Sequence, residues 1–208
     1  MLAAINSDTK MTDQLFIYDT YNRIKSAISN FDENILQDIY AISFFKSNQN
    51  DDPRQPLLVV GYNTISRWTE CTPKPRQEAE WPIASDREEA KWNFAFWLQN
   101  EELVIGGQNY DPVSCWVKGL SYYYTEEQEE KNFDKTYLLG EEIQKKFINI
   151  IIEHAKKLHE SGVIIDKFGR QVPIIIHELE YHEIPVNWTK QANPEGLTIE
   201  FEDWVNSM

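Results

Sequence analysis

The run His177-Glu178-Leu179-Glu180-Tyr181-His182 puts two imidazoles and two carboxylates within six residues. A helical zinc-protease site needs two histidines four apart, so that both ring nitrogens meet one ion. Here they are five apart, and the run continues Val172-Pro173-Ile174-Ile175-Ile176, which reads as a strand. Side chains alternate faces along a strand. Glu178, Glu180 and His182 would then share one face, and His177, Leu179 and Tyr181 the other. Two carboxylates and an imidazole suit a divalent metal, so this set defines a metal-dependent alternative. The ordinary reading, a solvated strand face carrying a His–Glu hydrogen bond, takes precedence. No metal site and no cofactor is therefore expected.

Other chemistry-bearing residues give weaker signals. His154 lies on an apolar helical stripe and reads as a hydrogen-bonded core histidine, while His159 suits a helix C-terminus. Cys71 and Cys115 share no metal-ligand spacing and make no disulfide framework. A nucleophilic Cys115 would need an adjacent base, and none is identifiable, so a buried structural role is expected. Cys71 sits near prolines, and an exposed loop position is expected for it. Gly106-Gly107 and Lys167-Phe168-Gly169-Arg170 lack both phosphate-loop patterns, so nucleotide binding has no positive support.

Charge carries more information. Twenty Lys and Arg stand against thirty-four Asp and Glu, a net charge of −14 over 208 residues. That excludes a uniformly basic nucleic-acid footprint. The longest apolar runs are far shorter than the roughly 20 residues of a membrane span. Reduced cysteines and an N-terminus without a basic, apolar leader pattern set the expectation of a cytoplasmic protein. Seven Trp, ten Tyr and ten Phe supply large contact areas. At least four of the indoles are expected in the core. Trp68 and Trp81 flank a proline-rich stretch and are expected to be partly exposed, rimmed by Glu70, Glu78 and Glu80. Such an acidic rim around aromatic anchors is the form of a protein-binding surface. Asp51, Asp52, Glu126, Glu127, Glu129 and Glu130 are the other acidic candidates.

The elements that must position these residues follow from spacing. Thr12 or Asp13 can cap a helix that carries Leu15, Tyr18, Tyr21, Ile24 and Ile28 on one face. Asp38–Ser47 is rich in β-branched and aromatic residues and predicts a strand. Leu57–Tyr62 predicts its antiparallel partner across the polar loop Asn48–Pro56. Ser85-Asp86-Arg87-Glu88 fits a capping box ahead of a helix bearing Ala90, Phe94, Trp97 and Leu98. A short strand is expected at Glu101–Ile105, and Asp111-Pro112 starts a helix reaching Tyr124. A solvated acidic stretch follows at Glu126–Glu130. The longest helix is expected over Tyr137–Glu160, with Ile143, Phe147, Ile150, Ile151, His154 and Leu158 buried. Val163–Asp166 and Val172–Tyr181 read as a second strand pair, and Gly196–Ser207 as a short terminal helix. The resulting expectation is an α+β fold, a mostly antiparallel sheet of hairpins with three to five helices packed on it. Residues 1–11 read as a flexible N-terminal extension and 12–208 as a single domain.

Several segments resemble an uncharacterised bacterial family, the domain of unknown function four-three-zero-three. They are Asp38-Ile39-Tyr40-Ala41-Ile42-Ser43-Phe44-Phe45, the Asp51-Asp52-Pro53 loop, and Leu57–Asn63. Glu89-Ala90-Lys91-Trp92-Asn93, the Ile176–Tyr181 run, and Asn193-Pro194 ahead of Phe201–Trp204 complete the set. None is a catalytic signature, so the resemblance implies no activity. In size, charge and architecture the chain is also similar in outline to immunity proteins of bacterial toxin systems. The expected function is that of a non-enzymatic acidic binding protein. It would recognise a basic protein partner, such as a toxin domain, with no nucleic acid and no membrane involved. The alternative is a small metal-dependent enzyme or ligand binder using Glu178, Glu180 and His182.

Overall fold

The computed structural model describes residues 11–74, 82–107, 111–180 and 183–208. Trp81, Glu78, Glu80, Tyr181 and His182, and residues 1–10 of the expected extension, lie outside the described residues. The fold is α+β, a four-stranded mixed sheet with helices on both faces. Strand β1 (Ile39–Asn48) pairs antiparallel with β2 (Pro56–Thr64), with Phe44 opposite Val60. The edge strand β3 (Leu103–Ile105) pairs antiparallel with β2, and β4 (Ile174–His177) runs parallel to β1, giving the order β3-β2-β1-β4.

β1 is apolar along most of its length because both its faces are covered, as expected of a central strand. Ile42 and Phe44 join Leu58, Val60, Ile174 and Ile176 against helices α1 (Asp13–Ser29) and α6 (Phe133–Glu160). The opposite face turns Ala41 and Ile175 toward Trp92, Trp97, Phe201 and Trp204. Those indoles come from α3 (Arg87–Trp92), the turn after it, and α9 (Ile199–Asn206). Four tryptophans, 92, 97, 116 and 204, are buried, as their number led us to expect.

The helices begin where side chains satisfy free amides. Thr12 accepts the Leu15 amide at 3.3 Å, and Asn132 accepts the Lys135 amide at 3.1 Å at the start of α6. The α6 helix starts four residues earlier than its apolar stripe predicts, and that stripe is buried as expected. At α3 the cap is Asp86 in place of Ser85. Asp86 accepts the Glu89 amide at 2.8 Å, while Glu89 accepts the backbone amide and the hydroxyl of Ser85. The capping pair is displaced by one residue, and the helix ends at Trp92, so Phe94 and Trp97 belong to a following turn.

Several expectations are corrected. Val163–Asp166 is not a strand but part of α7 (Val163–Phe168), bounded by Gly162 (φ 80°) and Gly169 (φ 68°) in the left-handed region. A short apolar run does not by itself separate strand from buried helix, and here Val163, Ile164 and Phe168 are buried while Ile165 is exposed. With no strand before it, β4 forms no hairpin and pairs parallel with β1 through a long crossover, so the sheet is mixed. The helix number is also larger than three to five: α2 (Ile65–Cys71), α4 (Asp111–Gly119), α5 (Glu126–Lys131) and α8 (Glu183–Ala192) bring the described helices to nine. The α4 helix stops at Gly119, short of Tyr124, and the acidic stretch is itself α5. Finally, Cys71 is the last residue of α2 and fully buried, and that burial raises its thiol pKa. Cys115 is buried as expected.

Candidate functional site

The acidic loop between β1 and β2 is built around Asp52. Its carboxylate accepts the Arg54 amide at 2.8 Å, the Arg54 Nε at 2.9 Å and the Gln55 amide side chain at 3.0 Å. Asn50 and Asp51 both take φ 56°, a left-handed conformation that their short polar side chains tolerate. Burial alone would raise the Asp52 pKa, but the donors from Arg54 and Gln55 outweigh it and hold the carboxyl below its ordinary range. Arg54 also reaches Glu129 of α5 at 3.1 Å and covers the Tyr124 ring at 4.8 Å. One guanidinium therefore joins two acidic segments that lie far apart in the chain.

This junction separates two depressions. The smaller, about 760 Å³, is lined by Asp52, Arg54, Glu126 and Glu127. The other is a groove of about 790 Å³, walled on one side by Asp51, Pro53 and Glu129. Lys46 and Asn48 enter it from the end of β1, and Glu178 from just after β4. The α6 helix contributes Phe133 and Tyr137 on successive turns, then Glu141 and Glu142; α8 contributes Ile184 and Trp188. Phe133 is 64% exposed, Tyr137 56% and Ile184 56%. Three large apolar side chains open to solvent beside a run of carboxylates is the arrangement of an anchored docking surface.

The loop and α6 meet closely. Gln144 Nε2 donates to the Pro53 carbonyl at 2.6 Å, and Gly140 leaves room for the Pro53 ring. The groove wall thus rests on a backbone-anchored contact rather than on mobile side chains. Lys46, only 7% exposed, donates to Glu178 at 2.8 Å and fixes that carboxylate at the groove edge. Five carboxylates line the groove against two ammonium groups, those of Lys46 and Lys145. Among the described residues, Asp51, Glu141 and Glu142 form no ion pair.

The sequence candidates are thus distributed unequally. Asp51 and Glu129 line the groove, Asp52, Glu126 and Glu127 line the neighbouring depression, and exposed Glu130 lines neither. Trp68 is partly exposed as expected but belongs elsewhere. It packs on Tyr40 and the small cluster around Cys71, and donates to the Arg87 carbonyl at 3.0 Å. Arg87 and Lys91 lie over its ring at 4.7 and 4.9 Å. Of the expected acidic rim only Glu70 lies among the described residues, and it is paired with Arg67. Phe133, Tyr137, Glu141, Glu142, Ile184 and Trp188 were not singled out from the sequence. The readable signal was the four-residue step from Phe133 to Tyr137, which sets two aromatic rings on one helical face off the buried stripe.

The His177–His182 run also changes meaning. β4 ends at His177, so face alternation does not extend through Glu178 and Glu180, and His182 lies outside the described residues. Glu178 is held by Lys46, Glu180 is exposed, and Leu179 is 76% exposed. Among the described residues no group of three or more side chains is placed to hold a metal ion. His177 is fully buried. Its Nδ1 faces the Glu178 carbonyl at 3.1 Å, so it carries the proton, and Nε2 accepts from Ser43 at 2.8 Å. The pair has the form of a nucleophile and base, but Ser43 is also buried and the Phe94 ring lies 4.5 Å from the imidazole. Burial lowers the His177 pKa to about 4. His154 is likewise a core histidine, bonded to Thr20 at 2.7 Å. His159 does more than support a helix end, bridging Gln171 at 2.8 Å and Asn193 at 3.1 Å.

No helix among the described residues is long and apolar enough to cross a membrane. No family model, curated protein or solved structure matches this chain.

Proposed function

We propose that this chain is a binding protein whose acid-rimmed groove captures a basic segment of another polypeptide. The observation that carries this reading is the convergence of Asp51, Glu129, Glu141, Glu142 and Glu178 around exposed Phe133, Tyr137 and Ile184. The overall charge of −14 extends the same field beyond the groove and steers a cationic partner toward it. Apolar side chains of the partner cover the exposed rings, and its cations meet the rim. An immunity protein that neutralises a basic toxin domain is one form of this activity, and the groove is where such a domain would dock.

The test uses a fluorescein-labelled peptide of alternating Lys and Leu and a Glu–Leu counterpart, with fluorescence polarisation as the readout. The cationic peptide binds, and its affinity falls as salt rises from about 50 to about 300 mM, where the Debye length shortens. The Phe133→Ala/Tyr137→Ala double variant binds on the order of ten-fold more weakly. Equal binding by the wild-type protein and this double variant would remove the groove from the reading.

A further inference from the structure

β4 lies at one edge of the sheet, with β1 on its inner side. Ile42 donates to the Pro173 carbonyl at 2.9 Å, so the odd-numbered residues of this segment turn their backbone groups toward β1. Ile174 and Ile176 turn theirs outward, where a fifth strand would sit. That outward row is fully used, and by side chains of α8. Ile176 donates its amide to Thr189 Oγ1 at 2.9 Å, and its carbonyl accepts from the same hydroxyl at 2.9 Å. Ile174 donates to Asn193 Oδ1 at 2.8 Å, and its carbonyl accepts from Asn193 Nδ2 at 2.7 Å.

Exchange of both bonds with one partner is the pattern of a hydrogen-bonded pair in an antiparallel ladder. The spacing fits it. Four helical residues rise about 6 Å, and two strand residues advance about 6.6 Å. Asn193 is also held from behind. Its Nδ2 donates to the Thr189 carbonyl at 2.7 Å, and its Oδ1 faces His159 Nε2 at 3.1 Å. All four hydrogen-bonding positions of that amide are therefore occupied. Natural sheet edges are usually protected by charge, proline or a bulge. The run Ile174-Ile175-Ile176 has no charge and no proline, and its composition is that of a segment prone to pair with itself.

We infer that Thr189 and Asn193 are an edge guard: they fill the strand-addition site of β4 and keep a second copy of this chain from pairing there, β4 against β4. A two-fold pairing of identical edges would satisfy the same outward groups with backbone in place of side chains. Without the two polar side chains, four buried backbone groups lose their partners, which favours a lifted α8 and a new strand in its place. The guard does not depend on the groove, which α8 meets through Ile184 and Trp188.

The probe is a fluorescein-labelled peptide copying Val172–Glu178, with a serine-rich tail, titrated into the full chain and read by fluorescence polarisation. Sedimentation velocity follows self-association in parallel. The Thr189→Val/Asn193→Leu variant binds the peptide on the order of ten-fold more tightly than the wild type does, and self-associates as its concentration rises. Thr189→Ser keeps the hydroxyl and behaves as the wild type. A peptide with its isoleucine amides N-methylated does not bind, because strand addition needs those donors. In the wild type the amides of Ile174 and Ile176 exchange hydrogen as slowly as those of Ile175 and His177 on the β1 side. Outward amides that exchange many-fold faster than the inner pair would show an open edge and overturn the guard without any variant. A double variant with native circular dichroism that neither binds the peptide nor self-associates overturns it as well, and assigns both side chains to the fold alone. Should the double variant unfold, Thr189→Val opens the Ile176 half by itself and is held to the same two readouts.

Discussion

A β-carbon placed on Gly140 would lie 2.8 Å from Cγ of Pro53 and 3.2 Å from the Tyr124 hydroxyl. Glycine inside a helix costs about 1 kcal/mol relative to alanine. Gly140 accepts that cost so that the acidic loop can rest on α6. Gly140→Ala restores helix propensity but overpacks the contact, which costs about 1–3 kcal/mol. Pro53 is ring-stiff and its carbonyl is tied to Gln144, so overpacking wins. Thermal unfolding should show a Tm lowered by a few degrees. Binding at the groove should weaken as the wall shifts. A Tm above that of the wild type would show that the loop gives way freely.

Arg54 holds the same wall from the other side. Its contacts are Asp52 at 2.9 Å, Glu129 at 3.1 Å and the Tyr124 ring. Arg54→Ala removes all three and leaves Asp52 without its strongest donor, a loss of about 2 kcal/mol. Glu129→Gln removes only one partly exposed pair and costs under about 1 kcal/mol. The folded Asp52 carboxyl lies below its ordinary 3.8. Its contribution is therefore present above that value and lost as pH falls through it toward the folded pKa. Urea titrations between about pH 2 and pH 6 should show this acid loss in the wild type and a smaller one in Arg54→Ala, where the backbone amide and Gln55 still donate to Asp52. An unchanged acid slope in the variant would place the effect on another carboxyl.

Legibility tracked how locally each feature is determined. The hairpin of β1 and β2, the buried stripe of α6 and the helix start at Thr12 were readable, because each follows from periodicity or a local cap. Val163–Asp166 was misread because three apolar residues and an aspartate carry no period long enough to separate helix from strand; the deciding signals were the glycines on either side. The parallel seat of β4 beside β1 depends on a crossover of more than a hundred residues and has no local trace. Asp51 and Glu129 were chosen from the sequence, but nothing in the sequence says that Arg54 would place them on one groove. Trp68 shows the converse: its partial exposure was readable, while the cations over its ring come from α3.

His177 and His154 are both buried and neutral, with pKa values lowered to about 4 by desolvation. In the unfolded chain they titrate near their ordinary 6.5. The folded protein therefore binds fewer protons between these values, and stability is full above about pH 6.5 and falls as pH drops toward 4. Near pH 5, unfolding should take up close to one proton per buried histidine. Replacing His177 with Asn keeps a polar partner for Ser43 and should reduce that uptake by about one proton. Stability at pH 7 should also drop, since the ring packs on Phe94 and Phe45. Chemical denaturation across this pH range measures the slope, and equal slopes in the two proteins would mean His177 is not buried in neutral form.

Phe133 separates a functional side chain from a structural one. It begins α6, is mostly exposed, and contacts Tyr137 with ring centroids 6.3 Å apart. A ring that serves the core costs about 3–5 kcal/mol when cut to alanine, as expected for Phe147 of the same helix. Phe133→Ala removes little buried area and should change stability by no more than about 0.5 kcal/mol. Its effect should appear in binding, as a several-fold loss of cationic-peptide affinity, smaller than that of the double variant, through faster dissociation. Paired measurements of unfolding midpoint and peptide off-rate make the distinction. A large loss of stability with unchanged binding would assign the ring to the fold, and would leave Tyr137 and Ile184 to carry the groove without it.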